Sequence, residues 1–186
     1  MDKAIIDGKM LDLSQKISYR FKDVQYLADA MCSKKLAKYL PKYEGDEGAG
    51  EHYHELANEA MAQVGDSILS FLLADYLYRC SDEIKRDGIK RKGKMNPQKQ
   101  KMEENSFLHK IEIDEGLIDF AYHDTHFHSD PDIKDHEKVA DKEHSPYLEA
   151  IIAAIYYDGG FDAVKGWFGS YLLPLIKKYL NDEVSI

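Results

Sequence analysis

Three carboxylates on two apolar stretches have the spacing of a metal site. Glu59 and Asp66 lie in the stretch 58–78, two helical turns apart and so on about the same face of a helix. Glu149 lies near the start of a second apolar stretch, 147–164. Oxygen ligands bind divalent cations, and a bound cation can activate water for hydrolysis. Two solvated acids near a helix start are the other interpretation of Glu59 and Asp66, because acids suit the helix dipole there.

The first stretch has the pattern of one long helix with a buried stripe. Apolar residues recur at intervals of three and four positions: Ile68, Leu69, Leu72, Leu73 and Tyr76. Gly65 directly precedes Asp66, although glycine costs a helix about 1 kcal/mol relative to alanine. A glycine at this position therefore indicates close packing, or room for a ligand, beside the carboxylate.

The second stretch predicts a core helix that another helix can approach closely. Its small residues are Ala150, Ala153 and Ala154, and the sequence Asp-Gly-Gly at 158–160 predicts the end of the helix. A further amphipathic stretch, 163–180, contains Pro174, which should kink or restart its helix. Strand-like alternation is scarce, so we predict an all-α fold.

These stretches resemble the ribonuclease III family. The family signature is close to NERLEFLGDSVL, and residues 58–69 read NEAMAQVGDSIL. The second family block is close to D-x-x-E-A-L-x-G-A-I-Y-L-D-G-G-F, and residues 146–161 read PYLEAIIAAIYYDGGF. Residues 13–31 are similar to the family's N-terminal helix with its Y-x-F-x-D turn, and 102–117 to the helix that ends in E-L-G-L. Four blocks in the family's order are a specific signal that covers nearly the whole chain.

The resemblance implies a fold, an activity and a site. The expected fold is a single multi-helix endonuclease domain over 1–186, and the expected activity is Mg²⁺-dependent cleavage of double-stranded RNA in RNA processing, with Mn²⁺ as a possible substitute. Asp66 and Glu149 would be the catalytic metal ligands, and Glu59 would support the site or the dimer contact. The signature helices would pair across a two-fold axis in a homodimer. No double-stranded-RNA-binding domain is expected.

Two positions depart from the common family pattern. Alignment on Gly65 and Asp66 places Ala62 at one usual acid, and alignment on Glu149 places Pro146 at another. The mini-ribonuclease III branch is similar, because it also carries alanine at the first position and lacks the aspartate at the second. Two carboxylates suffice for one Mg²⁺ ion completed by water and phosphate. The alternative is a family member without catalysis that kept the fold to bind RNA or a ribosome.

The charge distribution adds a candidate RNA-binding segment. The chain carries a net charge of −9, which does not favour a simple electrostatic RNA binder. The segment 85–101, however, holds eight basic residues against one aspartate. A solvated loop and a phosphate-contacting segment are both possible, and the family resemblance favours the second. Gly88, Gly93 and Pro97 predict that its first part is not one unbroken helix. The predicted RNA-binding residues are Lys90, Arg91, Lys92 and Lys94.

The remaining features exclude some classes of protein. No apolar run approaches the ~20 residues that a membrane helix needs, so we expect no membrane partner. Cys32 and Cys80 are far apart, which is typical of reduced thiols in a cytoplasmic protein. Residues 121–144 are rich in histidine and acid, with an H-x-H pattern at His126 and His128. We interpret them as a mobile acidic loop, and a histidine-centred metal-binding protein is a further hypothesis.

Overall fold

The computed structural model describes residues 3–32, 58–80, 91–121 and 146–184. Its helices are α1 (Lys3–Lys16), α2 (Gln25–Ala30), α3 (Asn58–Cys80), α4 (Arg91–Met102), α5 (Asn105–Asp114), α6 (Tyr147–Trp167) and α7 (Leu173–Val184). A 3₁₀ turn, Ile118–Phe120, follows α5, and a π-helical segment, Phe168–Leu172, joins α6 to α7. These ranges contain no strand, which confirms the predicted all-α fold.

Helix α6 is the centre of the packing. It lies along α3 and also contacts α2 and α5, and its residues from Tyr147 to Ile155 are all buried. The predicted stripe of α3 faces it, with Leu69 and Leu73 fully buried and Leu72 at 3% exposure. Because the apolar residues of both helices repeat with the helical period, the two helices bury continuous faces against each other.

Gly160 breaks α6 at the predicted place. Its φ of 78° and ψ of −176° are not helical, and a φ of this sign is readily accessible only to glycine. The chain then resumes a helix that buries Val164 and Trp167. The predicted end of the helix is therefore a kink between two helical parts.

Asp158, two residues before that kink, joins α6 to the turn between α1 and α2. Its carboxylate accepts hydrogen bonds from the Tyr19 hydroxyl at 2.9 Å and from the backbone N–H groups of Lys22 and Asp23 at 2.9 and 2.8 Å. Burial, with the hydrogen bond to Asp158, raises the pKa of Tyr19 to about 12. Trp167 donates a further bond to the Ile17 carbonyl oxygen at 2.8 Å. These bonds fix the first part of the chain on α6.

The basic segment differs from its prediction. Helix α4 runs from Arg91 to Met102 without interruption, through both Gly93 and Pro97. The proline removes one helical hydrogen bond, the one to the carbonyl of Gly93. Packing offsets this cost, because Met102 is buried and Met95 packs against the core. The helix break lies instead between α4 and α5, at Glu103 and Glu104.

The last helix restarts where the sequence predicted. Pro174 is the second residue of α7, directly after the π-helical segment, and its missing N–H removes one bond of this helical run. The π-helical segment directly before it contains the buried residues Phe168 and Leu172.

Within the described ranges, no helix is long and apolar enough to span a bilayer.

Candidate active site

The candidate site is built on a very close contact between α3 and α6. A Cβ atom added to Gly65 would lie 1.7 Å from the carbonyl oxygen of Glu149 and 2.5 Å from its carbonyl carbon. No real side chain fits there, so this position of α3 requires glycine. The close packing that Gly65 indicated in the sequence is confirmed. It brings the α3 backbone at Gly65, the residue before Asp66, against the backbone of Glu149.

Small residues surround this contact. Ala62 is 6% exposed and packs with Ala30, Ala150 and Ala154 in one apolar cluster. The position where the family pattern has an acid is therefore part of the interface between the helices. Pro146, at the other departing position, is the N-cap residue of α6 and forms no side-chain cap bond.

Glu149 is a buried carboxylate that lacks full hydrogen bonding. It is 7% exposed, and within the described residues its Oε2 atom has no hydrogen-bond partner. Burial, together with the charges of Glu112 and Asp66, raises its pKa to about 7 against smaller lowering effects. A buried carboxyl group with a raised pKa can lose its proton and bind a cation instead.

Asp66 and Glu59 lie on the exposed side of α3. Asp66 is solvent-exposed, and its charge is close enough to raise the pKa of Glu149. Glu59 is exposed in the first turn of the helix, next to the buried Asn58, whose N–H donates to the Cys32 carbonyl oxygen at 3.2 Å. A buried acid on α6 is thus paired with an accessible acid on α3.

Glu112 of α5 was missed in the sequence. It is 1% exposed, its Oε1 accepts a bond from the Leu148 N–H at 2.6 Å, and its Oε2 lies 3.1 Å from Nδ1 of His109. Burial raises its pKa, while the bonds from His109 and from the backbone of α6 act in the opposite direction. The available signal was an acid on the apolar face of α5, one turn after Leu108.

The predicted RNA-binding residues fall at the start of α4 and directly before it in the sequence. Arg91, Lys92 and Lys94 belong to the first turn of α4, and Lys90 lies outside the described residues, as do His126 and His128. Further along α4, Lys99 Nζ donates to Ser70 Oγ at 2.6 Å, one turn after Asp66 on α3. The basic helix is therefore attached to the helix that carries Asp66.

The residues at the site fit one hard cation. No group of three or more metal-binding side chains occurs within the four described ranges. Asp66 and Glu149 nevertheless offer carboxylates from facing helices, and the unpartnered Oε2 of Glu149 is an available ligand atom. Mg²⁺ is commonly held by one or two carboxylates, with water and phosphate as the other ligands. An all-α domain that offers one exposed and one buried carboxylate from facing helices is the class of protein that this fold and site define.

Comparisons with known proteins identify the family within this class. Residues 59–160, more than half of the chain, match the ribonuclease III domain. The chain belongs to the ribonuclease III family, and the predicted family of ribonuclease III-type endoribonucleases is confirmed.

Relatives and solved structures agree with this assignment. Ribonuclease 3 of Pseudothermotoga lettingae is 27% identical over 180 residues, which cover 94% of this chain and 66% of that protein. Ribonuclease 3 of Caldanaerobacter subterraneus subsp. tengcongensis is 26% identical over 180 residues, which cover 91% of this chain and 63% of that protein. The chain thus spans about two thirds of the length of these relatives. The crystal structure of the ribonuclease III nuclease domain of Campylobacter jejuni is similar in fold, with a TM-score of 0.62, 22% identity and 96% coverage of each chain.

The burial of Glu149 predicts a pH dependence of stability in the metal-free protein. The pKa of Glu149 is about 7 in the folded protein and near 4.5 when unperturbed. The folded state therefore binds one more proton between these values, so this contribution to stability is complete below the lower pKa and is lost as pH rises through the higher one. We expect a loss of up to about 3 kcal/mol in the free energy of unfolding.

Urea unfolding of the parent and of Glu149→Gln in the presence of a chelator measures this loss. The glutamine is neutral at every pH, so the parent should lose stability relative to the variant between about pH 5 and about pH 8. A difference between the two proteins that stays constant over this range would contradict the assignment of a raised pKa to Glu149.

Proposed function

We propose that this protein is a Mg²⁺-dependent endoribonuclease that cleaves double-stranded RNA. The observation that carries the proposal is Oε2 of the buried Glu149, which has no hydrogen-bond partner among the described residues. The contact with Gly65 holds Glu149 against α3, the helix that carries Asp66. The relatives of similar sequence are named Ribonuclease 3. A place in cytoplasmic RNA processing stays a prediction.

In the proposed reaction, the two carboxylates have different tasks. Asp66 is exposed and is therefore the ligand that meets both the cation and the solvent. Glu149 is held rigidly inside α6 and binds from the buried side once it has lost its proton. The ion, when bound, supplies charge stabilisation at the attacked phosphate and lowers the pKa of a bound water. We expect the two carboxylates to lie within about 6 Å, the span of one shared cation. Glu59 would support the site from the start of α3.

A family member that binds RNA without cleaving it is the second candidate. Ala62 lies in the alanine cluster of the α3–α6 interface, and Pro146 has no ligand group, so two of the usual acids are absent. A single ion with two protein ligands is still compatible with hydrolysis, whereas a two-ion site is harder to build here. Cleavage of duplex RNA in the presence of Mg²⁺ separates the candidates directly.

We propose homodimerisation through the exposed side of α3. Ala60 is exposed, Val64 is half-buried, and Phe71 is 54% exposed on the same face, in edge contact with the ring of Phe161. Met61 beside them is also half-buried. The Campylobacter jejuni nuclease domain has a structurally flexible region involved in dimer formation. An isologous pairing of this face would cover apolar side chains on both copies at once.

The first prediction of the proposal concerns Asp66. Asp66→Asn keeps the shape of the side chain but removes the charge that binds the ion, so Mg²⁺-dependent cleavage of duplex RNA should fall by at least about a hundredfold. Gel analysis of cleavage products measures the rate. Asp75→Asn is the matched control, because Asp75 lies on the same helix and pairs with Arg79 at 2.6 Å. Full turnover by the Asp66 variant would show that another group binds the ion.

The second prediction concerns the dimer. Val64→Glu places a charge in the proposed interface, so light scattering at micromolar concentration should report a monomer where the parent is a dimer. Ile113→Glu is the control, because Ile113 is an exposed apolar residue of α5, at 43% exposure, outside the proposed face. A parent that is monomeric under these conditions would refute the proposed interface.

The third prediction concerns the basic segment. Changing Lys90, Arg91, Lys92 and Lys94 to alanine should weaken binding to duplex RNA and flatten its dependence on salt, because fewer counterions are released from phosphates. The chemical rate at saturating RNA should change little. In the control variant, alanine replaces Lys9, Lys16, Lys165 and Lys177. These changes remove the same charge from α1, α6 and α7. If the parent and the quadruple variant of the basic segment bind duplex RNA equally at every salt concentration, the segment is only a solvated surface.

A further inference from the structure

The start of α6 lacks a side-chain cap of its own. The first N–H groups of a helix have no intrahelical partners, and an N-cap side chain normally accepts one of them. Pro146 occupies the N-cap position of α6 and forms no such bond. This end of α6 is buried from Tyr147 to Glu149, so water cannot easily supply the missing acceptor. The acceptor must come from elsewhere in the fold.

Glu112 supplies it from a different helix. Its Oε1 atom accepts the Leu148 N–H at 2.6 Å, across a separation of 36 residues in sequence. Its Oε2 atom is held by His109, one turn earlier on α5, at 3.1 Å. Both oxygens of Glu112 are thus engaged, which suits a carboxylate that positions other groups rather than one that binds a ligand directly.

The same contact sets the surroundings of Glu149. Leu148, whose N–H Glu112 binds, directly precedes Glu149, and the charge of Glu112 raises the pKa of Glu149. The Oε2 atom of Glu149 is buried and has no hydrogen-bond partner among the described residues, so it is available as a ligand atom at this end of α6. Glu112 is bonded to the residue next to Glu149, and its carboxylate, when ionised, would strengthen the attraction for a cation, since side chains that surround metal ligands orient them and tune their affinity.

We propose that Glu112, held by His109, is a positioning residue of the metal site. It caps α6 at Leu148, next to Glu149, and brings a second carboxyl group to this end of the helix, whereas the Pro146 side chain has no acceptor atom. The inference rests on the proposed function, because it concerns the same ion. It adds α5 to the helices that build the site.

Manganese binding, followed by electron paramagnetic resonance, tests the proposal without RNA or catalysis. Glu112→Gln retains an oxygen for the Leu148 N–H and a nitrogen toward His109 but removes the charge. We expect it to fold and to bind Mn²⁺ about tenfold more weakly than the parent. Glu112→Ala also removes the cap, so it should bind at least as weakly and unfold at a lower temperature.

The matched control is Glu115→Gln. Glu115 follows α5 directly and also receives bonds from another helix, from Lys178 Nζ at 3.2 Å and the Tyr179 hydroxyl at 3.1 Å, but those partners lie on α7. Its substitution should leave the affinity for Mn²⁺ unchanged. Asp66→Asn, measured in parallel, should abolish binding and so show that the ion occupies the proposed site.

The outcomes distinguish the positioning role of Glu112 from the metal site itself. If the parent binds Mn²⁺ through Asp66 and Glu112→Gln binds it equally tightly, Glu112 is only a structural cap and the positioning role is wrong. If the parent binds no Mn²⁺, or binds it unchanged after Asp66→Asn, the metal site itself is wrong and the role of Glu112 falls with it. Tenfold weaker binding by Glu112→Gln, with normal binding by Glu115→Gln, supports both.

Discussion

The contact between Gly65 and the backbone of Glu149 is the constraint on which the candidate site depends. A Cβ atom at this position would overlap the Glu149 carbonyl, so even alanine would push α3 and α6 apart. The neighbouring alanines at 62, 150 and 154 extend the same close approach along the interface. Small side chains bury little apolar area each, so larger residues on the flanks, such as Leu69 and Ile151, provide most of the hydrophobic stabilisation. Close approach at one end and bulky packing beside it fix the helices that carry the two acids.

This geometry makes Glu149 costly to bury as an anion. Burial and the nearby charges of Glu112 and Asp66 all favour its protonated form, and the Oε2 atom has no partner among the described residues. A divalent cation would remove the same cost by neutralising the charge, so the proton and the cation compete for one place. The chain retains a locally unfavourable group at the site, which is a common feature of functional centres. At the proposed metal site, the stability of the metal-free protein and the affinity for the ion would therefore be coupled.

The parts of the site that follow helical periodicity could be predicted from the sequence. Gly65, Asp66 and Glu149 stand out because each interrupts or borders an apolar pattern, and the two long helices follow from the same patterns. Glu112 stands out only as an acid on the apolar face of α5; its role could not be predicted, because its partner at Leu148 is 36 residues away and periodicity contains no information on contacts between helices. Helix α4 was mispredicted for a related reason: the propensities of Gly93 and Pro97 oppose a helix, but Met95 and Met102 pack on the core and override them.

At Ala62 and Pro146, the usual acids of the family are absent, and the fold relates both positions to other residues of the site. Ala62 packs in the alanine cluster, one turn before the close contact at Gly65, so an acid in its place would have to enter this apolar interface between α3 and α6. The capping function that Pro146 lacks is provided by Glu112 from α5. The site therefore has one exposed acid, one buried acid and a third acid whose oxygens are already engaged. Two metal ions need several carboxylates that bridge or flank them. Of the three acids described at this site, two have oxygens available, so the proposed site favours a single ion whose remaining ligands would be water and a substrate phosphate.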